Sequence, residues 1–207
     1  LEFRRVLFRS RWDHSSQRYD QYHGHGVKSD EEAEAWRALF RRLIPGQGLK
    51  VLEVGCGTGE ISLLLAGLGH EVRGIDLSDK MLAKARAKVD QPNGGNGGIK
   101  LEFDLGDAEN PPFAPGSFDA VVCRHVLWTL PSPGKAVAKW KEMLKKDGTI
   151  LVIDALWNDD NLQTRLRRKI GDWLILLVER NDISKDGYSR ELKAALRSEE
   201  HTSELQS

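Results

Sequence analysis

An apolar run that leads straight into a glycine-rich turn is the feature that most limits what this chain can fold into. Residues 51–54 are apolar except for Glu53, and Gly55, Gly57 and Gly59 follow at alternate positions. Glycine lets the backbone bend sharply and lets a ligand approach without a Cβ in the way. A helix that begins after such a bend offers free backbone N–H groups to a negatively charged group. We therefore predict a strand, a ligand-binding turn and a helix in this order.

Predicted strands and helices alternate along the chain from this point. The helices cover about residues 60–68, 78–89 and 133–144, and the strands cover about residues 51–54, 71–75, 99–103, 118–123 and 149–154. Such alternation implies a mostly parallel sheet with right-handed crossovers and helices on both faces. We predict an α/β fold, a Rossmann-like three-layer αβα sandwich, in which ligands bind at the carboxyl ends of the strands.

Two further helices are predicted outside this alternating region. Ser29 and Glu32 form a capping box, in which Ser29 caps a helix that ends before Pro45 and Gly46. A second helix is expected over about residues 160–180, because apolar residues recur there at helical spacing. We therefore predict that the chain divides into an N-terminal cap segment at residues 11–48, a ligand-binding core at 49–158 and a truncated C-terminal helical cap at 159–196.

The two ends of the chain are related to each other at the level of DNA. One DNA stretch encodes residues 1–10 in one orientation and residues 197–206 in the other, and it resembles a common sequencing-library adapter. We therefore expect residues 1–10 and 197–207 to be adapter-derived tails. The authentic segment on this interpretation is about residues 11–196, clipped at both ends.

Acidic residues end or follow the next two predicted strands. Asp76 ends the second strand, where a carboxylate can accept both hydroxyls of a ribose, and Asp107 follows the third, where it can accept an adenine amino group. The segments in order are VLEVGCGTG, GIDLS, GDAENPPF, FDAVVCRHVLWTLPSP and LKKDG. Together they resemble the successive motifs of class I S-adenosylmethionine-dependent methyltransferases, of the small-molecule type 11 and type 25 groups, over residues 50–154.

The resemblance implies that the chain binds S-adenosyl-L-methionine, releases S-adenosyl-L-homocysteine and methylates a small-molecule acceptor by in-line displacement. It implies that Glu53 and the three glycines line the methionine end of the cofactor and that Asp76 binds the ribose. Met81 is expected to pack near the adenine, with Asp107 and Ala108 at the adenine edge. The full set of expected cofactor-binding residues is Glu53, Gly55, Cys56, Gly57, Thr58, Gly59, Asp76, Leu77, Met81, Asp107, Ala108 and Arg124.

Three residues are candidates for the chemistry of methyl transfer. By the resemblance, Arg124 and His125 follow the fourth strand and face the transferable methyl group. A base is needed only when the acceptor loses a proton, and His125 is placed for that role; bonding to a backbone carbonyl is the alternative. Arg124 either holds an acidic acceptor or pairs with a carboxylate of the fold. Tyr19 is expected to cover the cofactor, because residues 12–20 resemble the start of small-molecule members. Core packing is the favoured role of Trp128, and a wall of the acceptor pocket is the alternative.

Three other interpretations are disfavoured. A nicotinamide-binding domain would have its third glycine where this chain has Glu60, and a carboxylate beside the cofactor suits a sulfonium better than a pyrophosphate. The Asn-Pro-Pro-Phe sequence at residues 110–113 matches a motif of amino-methylating enzymes, but it lies before the fourth strand rather than after it. No metal site is predicted, because His14, His23 and His25 lack an added acid or cysteine at ligand spacing.

The amino-acid composition indicates which kinds of partner this chain can bind. Lys and Arg together number 31, as do Asp and Glu, so no overall charge attracts nucleic acid or an anionic membrane. No apolar run approaches the ~18 residues of a membrane span, and no signal peptide is recognised, so we expect a cytoplasmic protein without membrane or nucleic-acid partners. Cys56 and Cys123 are too few for a disulfide framework. Two alternatives stay open: a cofactor-binding module without turnover, and a protein or RNA methyltransferase.

The resemblance also predicts something about the edge of the sheet. The family adds two antiparallel strands after the fifth strand, and we expect the last two strands to be missing because the chain is clipped there. Residues 149–154 would then form an unprotected edge that invites association with another chain. The sequence leaves the oligomeric state open.

Overall fold

The computed structural model describes residues 9–10, 12–14, 16–21, 26–90, 100–155 and 173–179. The helices are α1 (Asp30–Leu43), α2 (Glu60–Gly67), α3 (Asp79–Val89) and α4 (Pro133–Met143), and short 3-10 helices cover Ser16–Gln21 and Leu127–Thr129. The strands are β1 (Lys50–Val54), β2 (Glu71–Asp76), β3 (Leu101–Leu105), β4 (Phe118–Arg124), β5 (Leu144–Ala155) and β6 (Trp173–Glu179).

The strands form one sheet in the order β3-β2-β1-β4-β5-β6. Strands β1 to β5 are all parallel to their neighbours, and β6 runs antiparallel to β5. The direction in which strands are added reverses between β1 and β4, and a ligand crevice forms where such a reversal occurs. The predicted Rossmann-like α/β fold is confirmed.

Apolar side chains fill both faces of the sheet. On one face, Val121 belongs to a buried cluster that includes the fully buried Trp140 of α4. On the other face, Val122 belongs to a cluster that includes Trp36 and Phe40 of α1. Successive residues of β4 therefore point into different layers, as the two-residue period of a strand requires.

Helix α1 begins where the capping box places it. The Ser29 side chain accepts a hydrogen bond from the backbone N–H of Glu32 at 3.2 Å. The Glu32 carboxylate in turn accepts from the backbone N–H of Lys28 at 2.8 Å. This helix brings Trp36 to the sheet, close to the end of β4, which matters for the site described below.

The far edge of the sheet differs from the prediction. A helix was predicted over residues 160–180, but Trp173–Glu179 form strand β6, while residues 160–172 and 180 lie outside the described residues. Strand β6 pairs with β5 from Thr149 to Ala155, so the prediction of an unprotected edge is wrong. One antiparallel strand is present where none was expected. A short apolar run fits a helix or a strand equally, and the free N–H and C=O groups of β5 favour the strand.

Candidate functional site

An open cleft lies at the carboxyl ends of β1, β2 and β4. Its walls come from the N-terminal segment, the turn after β1, the end of β2 with the start of α3, and the loops after β3 and β4. The lining residues are Trp12, Tyr19, Gly55, Gly57, Asp76, Leu77, Met81, Gly106, Ala108, Arg124, His125, Val126, Thr129 and Leu130.

The turn after β1 holds three glycines in the left-handed region of backbone conformation, with φ of 66° at Gly55, 54° at Gly57 and 80° at Gly59. A Cβ at Gly55 would collide with the Val126 side chain, and one at Gly59 would lie 2.7 Å from an aromatic ring of β3. A Cβ at Gly57 would meet only Tyr19, at 3.6 Å. Two of the glycines therefore serve close packing, whereas the backbone at Gly57 opens onto the cleft.

Asp76 stands at the carboxyl end of β2, beside the glycine turn. Its Oδ2 accepts a hydrogen bond from the backbone N–H of Gly57 at 2.9 Å, and its Oδ1 accepts from that of Ser78 at 2.8 Å. Burial raises the pKa of the Asp76 carboxyl, and these backbone hydrogen bonds oppose the rise. A carboxylate has about four acceptor sites, so this group is held in place and keeps capacity for ligand donors.

Glu53 lies beneath the turn rather than on the surface of the cleft. It is 2% exposed, and the Ser62 hydroxyl donates a hydrogen bond to its carboxylate. Burial raises the pKa of Glu53 to about 7, while the hydrogen bond from Ser62 and the positive charge of Arg124 act in the opposite direction. Glu53 is therefore a buried acid that exchanges its proton near neutral pH.

Arg124 and His125 also line the cleft, at the end of β4. The Arg124 guanidinium lies 5.9 Å from the ring centre of Trp36. His125 Nδ1 lies 3.1 Å from Asp154 Oδ1, and the backbone N–H of His125 donates to the Ile153 carbonyl at 3.0 Å. His125 is 8% exposed and has a φ of 58°, which is unusual for a residue with a side chain.

Two aromatic rings of the N-terminal segment form a further wall. The rings of Trp12 and Tyr19 meet edge to face with their centres 5.9 Å apart, and both residues line the cleft. Burial raises the pKa of Tyr19 to about 12, with the positive charge of Arg124 acting in the opposite direction. The Tyr19 phenol is therefore protonated at neutral pH and presents an O–H group rather than a charge.

Two aspartates attach this segment to the core, and we call their contacts the N-terminal latch. The Ser78 hydroxyl donates to Asp13 Oδ1 at 2.5 Å. The Thr58 hydroxyl donates to Asp20, whose second carboxylate oxygen lies 2.9 Å from Lys88 Nζ. Thr58 precedes α2 and Ser78 caps α3, so both carboxylates lie at the start of a helix, where negative charge is favoured.

The loop after β3 and the start of α3 border a third side of the cleft, through Ala108 and Met81. The Ala108 carbonyl accepts a hydrogen bond from Trp140 Nε1 at 2.7 Å, so a fully buried tryptophan fixes this loop. Asp107 lies beside the cleft rather than on it, and its Oδ1 accepts from the backbone N–H of Glu109 at 2.9 Å.

The structure brings most of the predicted site residues into the lining of one cleft. Those that line it are Tyr19, Gly55, Gly57, Asp76, Leu77, Met81, Ala108, Arg124 and His125; those outside the lining are Glu53, Cys56, Thr58, Gly59 and Asp107. Cys56 packs in a buried cluster with Leu82 and Phe103, and burial raises the pKa of its thiol well above the usual value. Trp128, predicted to lie in the core, is 37% exposed, so that prediction is wrong.

Sequence reasoning missed several residues of the site. Those on the cleft are Trp12, Gly106, Val126, Thr129 and Leu130, and Asp154 contacts His125 from β5. Most of them could have been predicted, because they follow β3 or β4 or lie near the end of β5. Ligands bind at the carboxyl ends of parallel strands. Trp12 could not have been predicted in this way, because it is brought to the cleft by the N-terminal latch.

Groups of metal-ligating side chains and membrane-spanning helices are both absent from the part of the chain that the structure describes. That part contains no group of three or more His, Cys, Asp or Glu side chains arranged to hold a metal ion. His23 and His25 lie outside the described residues. Within the same part, every helix is too short or too polar to cross a membrane.

The fold and the cleft fit one class of protein. A parallel sheet whose first strand ends in a glycine turn, and whose second strand ends in a carboxylate beside it, is compatible with a class I S-adenosylmethionine-dependent methyltransferase domain. Comparison with known families agrees. Residues 52–152 match the family described as methyltransferase domain, and this part of the chain belongs to that family.

Curated relatives extend the comparison. The ubiquinone biosynthesis O-methyltransferase of Thiobacillus denitrificans is 38% identical over 107 residues, which are 51% of this chain and 44% of the relative. The protein of the same name from Azoarcus sp. is 38% identical over 104 residues, 50% of this chain and 42% of the relative. The chain thus spans less than half the length of these relatives.

Solved structures share the fold. The YcgJ protein of Bacillus subtilis is 27% identical, with a TM-score of 0.52 over 58% of this chain and 50% of that one. The [4+2]-cyclase SpnF is 20% identical, with a TM-score of 0.61 over 71% of this chain and 58% of that one, and shows a likeness of fold alone. Because SpnF is named as a cyclase, the fold by itself does not define the reaction.

Proposed function

We propose that this chain transfers a methyl group from S-adenosyl-L-methionine to a small-molecule acceptor. The observation behind the proposal is a single cleft that is lined by Gly57 and Asp76 and also by Arg124 and His125. In an in-line displacement the methyl group passes directly between donor and acceptor, so both must bind in the same cleft.

The residues at the glycine turn fit this cofactor. The backbone of Gly57 leaves room for a ligand where a side chain would stand between the turn and Tyr19. Asp76 places a carboxyl group beside this room, and the carboxyl group of Glu53 lies beneath the turn. Such groups suit a sulfonium, an ammonium and ribose hydroxyls, whereas they would repel a pyrophosphate. The acidic groups at the turn therefore favour a sulfonium nucleoside over a dinucleotide as the ligand.

The other predicted cofactor residues divide by position. Leu77, Met81 and Ala108 line the cleft and would contact the adenine and its ribose directly. The residues outside the lining would act by holding the turn and the loop in shape: Cys56, Thr58, Gly59 and Asp107. Tyr19, which faces Gly57 across the cleft, would cover the bound cofactor.

The cofactor, when bound, supplies a methyl group on a positively charged sulfur, which is already activated for displacement. The main contribution of the chain is then positioning, which is worth up to about 7–11 kcal/mol in favourable intramolecular reactions. Arg124 is held against Trp36, so it offers a fixed positive edge to the acceptor. Trp12 and Tyr19 lie across the N-terminal side and would exclude water.

The lining of the cleft suits a small organic molecule. Trp12, Val126 and Leu130 contribute apolar walls, and Thr129 also lines the cleft. The relatives named as O-methyltransferases of ubiquinone biosynthesis support an acceptor of this kind. A protein or RNA acceptor has less support, because the chain carries equal numbers of acidic and basic residues.

Calorimetry followed by a turnover assay tests the proposal. We expect both S-adenosyl-L-methionine and S-adenosyl-L-homocysteine to bind, and turnover to appear on a panel of small hydroxylated and amino acceptors. Asp76→Ala should weaken cofactor binding at least about tenfold, since it removes a buried charged hydrogen-bond acceptor. Absence of binding would contradict the proposal outright. Binding without turnover on any acceptor would instead favour a cofactor-binding module.

A further inference from the structure

The backbone at His125, a residue of the cleft lining, is held in a left-handed conformation. Its φ is 58°, and its backbone N–H donates to the Ile153 carbonyl of β5 at 3.0 Å. The side chain is 5% exposed, yet the residue lines the cleft. A conformation of this kind costs energy and persists at sites where it serves to aim a side chain.

Asp154 of β5 lies directly behind this histidine. Its Oδ1 is 3.1 Å from His125 Nδ1, and the Asp154 side chain is 17% exposed. An ionised carboxylate can only accept, so it favours the tautomer in which Nδ1 carries the proton and donates. The second ring nitrogen, Nε2, is then a proton acceptor.

We propose that His125 and Asp154 form an acid–base pair, and that the acceptor is therefore a molecule that loses an O–H proton on methylation. This inference rests on the proposed methyltransferase function and adds to it the class of acceptor and a second residue. His125 is the base that meets the acceptor hydroxyl, and Asp154 is a positioning residue that acts through His125.

The proposed reaction transfers the methyl group to the acceptor oxygen and the hydroxyl proton to His125. The acceptor oxygen uses a lone pair to form a bond to the methyl carbon as the carbon–sulfur bond breaks. The electron pair of that broken bond stays on sulfur, which becomes a neutral thioether. The hydroxyl proton passes to His125 Nε2, and Asp154 stabilises the imidazolium that forms.

The charged and titratable groups around the pair come from several elements. Arg124 precedes His125 on the same strand end, and Tyr19 and Asp76 line the same cleft. Glu53 lies behind Arg124 in β1, and the buried thiol of Cys123 lies near Asp154. Burial raises the pKa of Cys123 well above its usual value, so this thiol is neutral. Burial raises the pKa of Glu53 to about 7, so the charge of this carboxyl also changes near neutral pH.

Apolar and polar side chains line the cleft to which His125 belongs. Trp12, Val126 and Leu130 are apolar, whereas Thr129 and Arg124 are polar. A phenol combines an apolar ring with an ionisable hydroxyl, and substituents on the ring change the acidity of that hydroxyl.

A series of substituted phenols that differ in acidity tests the pair. His125→Asn tolerates the left-handed backbone but removes the base, and Asp154→Asn removes the carboxylate. For weakly acidic phenols we expect kcat to fall by about 10²–10⁴-fold in His125→Asn and by about tenfold or more in Asp154→Asn. For phenols already ionised at the assay pH, both losses should shrink towards none. The low-pH limb of the wild-type kcat profile should shift in Asp154→Asn.

Asp119→Asn is the matched control. Asp119 lies at the other end of β4, where it accepts from the backbone N–H of Lys50 and pairs with Lys145, both at 2.8 Å. The Asp119→Asn variant should be less stable than the wild type, but the dependence of its kcat on phenol acidity should be unchanged. Equal losses on every phenol, an unshifted pH profile, or wild-type turnover confined to amines would each overturn the acid–base pair. Absence of all turnover in a wild-type protein that binds the cofactor would instead overturn the proposed function on which the pair rests.

Discussion

The backbone N–H of Gly57 donates to Asp76 Oδ2 at 2.9 Å, which ties the turn after β1 to the carboxyl end of β2. This bond joins the two features on which the proposed cofactor site depends. The carboxylate is held by backbone groups, and it would bind a ribose without first having to be ordered, which lowers the entropic cost of binding.

Replacement of Gly57 by alanine should separate backbone strain from ligand exclusion. Gly57 and Gly116 have φ of 54° and 68°, and a Cβ at Gly116 would meet nothing within 4 Å. Both Gly57→Ala and Gly116→Ala should lose about 1–2 kcal/mol of stability, because an alanine is strained in this conformation. Only Gly57→Ala should also weaken cofactor binding, by tenfold or more. Denaturant unfolding and calorimetry measure the two effects, and equal cofactor affinity in both variants would contradict the assignment of the turn.

Glu53 should make stability fall as the pH rises. Its pKa in the folded protein is about 7, against 4.5 for an ordinary glutamate, so the folded state retains a proton that the unfolded state releases. The free energy of unfolding therefore decreases from pH 4.5 to 7 and levels off above, a loss of about 3 kcal/mol for a shift of this size. Asp76, whose pKa is also raised by burial, acts in the same direction.

Glu53→Gln isolates this contribution, because glutamine can still accept the hydrogen bond from Ser62 but does not titrate. We expect the variant to match the wild type near pH 5 and to be more stable than the wild type at pH 8. Chemical denaturation across this pH range measures the difference. A wild-type curve that rises between pH 5 and 7, or a variant that keeps the wild-type slope, would speak against a buried neutral acid at this position.

Removal of the Asp20 carboxylate should loosen the N-terminal latch. Asp20→Asn breaks the pair with Lys88 and weakens the contact with Thr58. Because the pair is partly exposed, we expect a loss of stability below about 1 kcal/mol but a several-fold faster dissociation of S-adenosyl-L-homocysteine. Stopped-flow measurements give that rate. The control is Glu142→Gln, which breaks a similar pair with Lys139 on α4; if it speeds dissociation equally, the latch does not retain the ligand.

Trp140→Phe should weaken the loop that borders the proposed adenine side. The change keeps an aromatic ring in the core but removes the Nε1–H that donates to the Ala108 carbonyl at 2.7 Å. A buried carbonyl left without its donor costs about 1–3 kcal/mol, so we expect a stability loss of this size together with a higher cofactor Kd. Calorimetry on the folded variant tests the second effect. If the Kd is unchanged, the hydrogen bond supports the fold alone.

The sequence predicted the parts of this molecule that depend on local patterns. The strands β1 to β5 follow from apolar runs between helical segments, and the start of α1 follows from Ser29 and Glu32, which are neighbours along the chain. The strand at Trp173–Glu179 was missed because an apolar run of this length satisfies both periodicities, and pairing with β5 decides between them.

The contacts missed in the site join residues that are distant in sequence. Asp154 meets His125 only because parallel β4 and β5 pair Arg124 with Ile153 and so bring the following residues together. The N-terminal latch likewise joins Asp13 to Ser78 and Asp20 to Thr58, and no local pattern marks these pairs. The glycine turn and Asp76 could be placed from the sequence because each lies at the end of its own strand.

The positive φ at His125 limits how the selectivity of this protein can be changed by mutation. Among the residues with side chains, asparagine and aspartate are the ones that enter this conformation readily, so most substitutions at position 125 would lose stability whatever their chemistry. Trp12, Thr129 and Leu130 border the same space without that restriction. Libraries that aim at a new acceptor should therefore vary these three positions and keep the histidine.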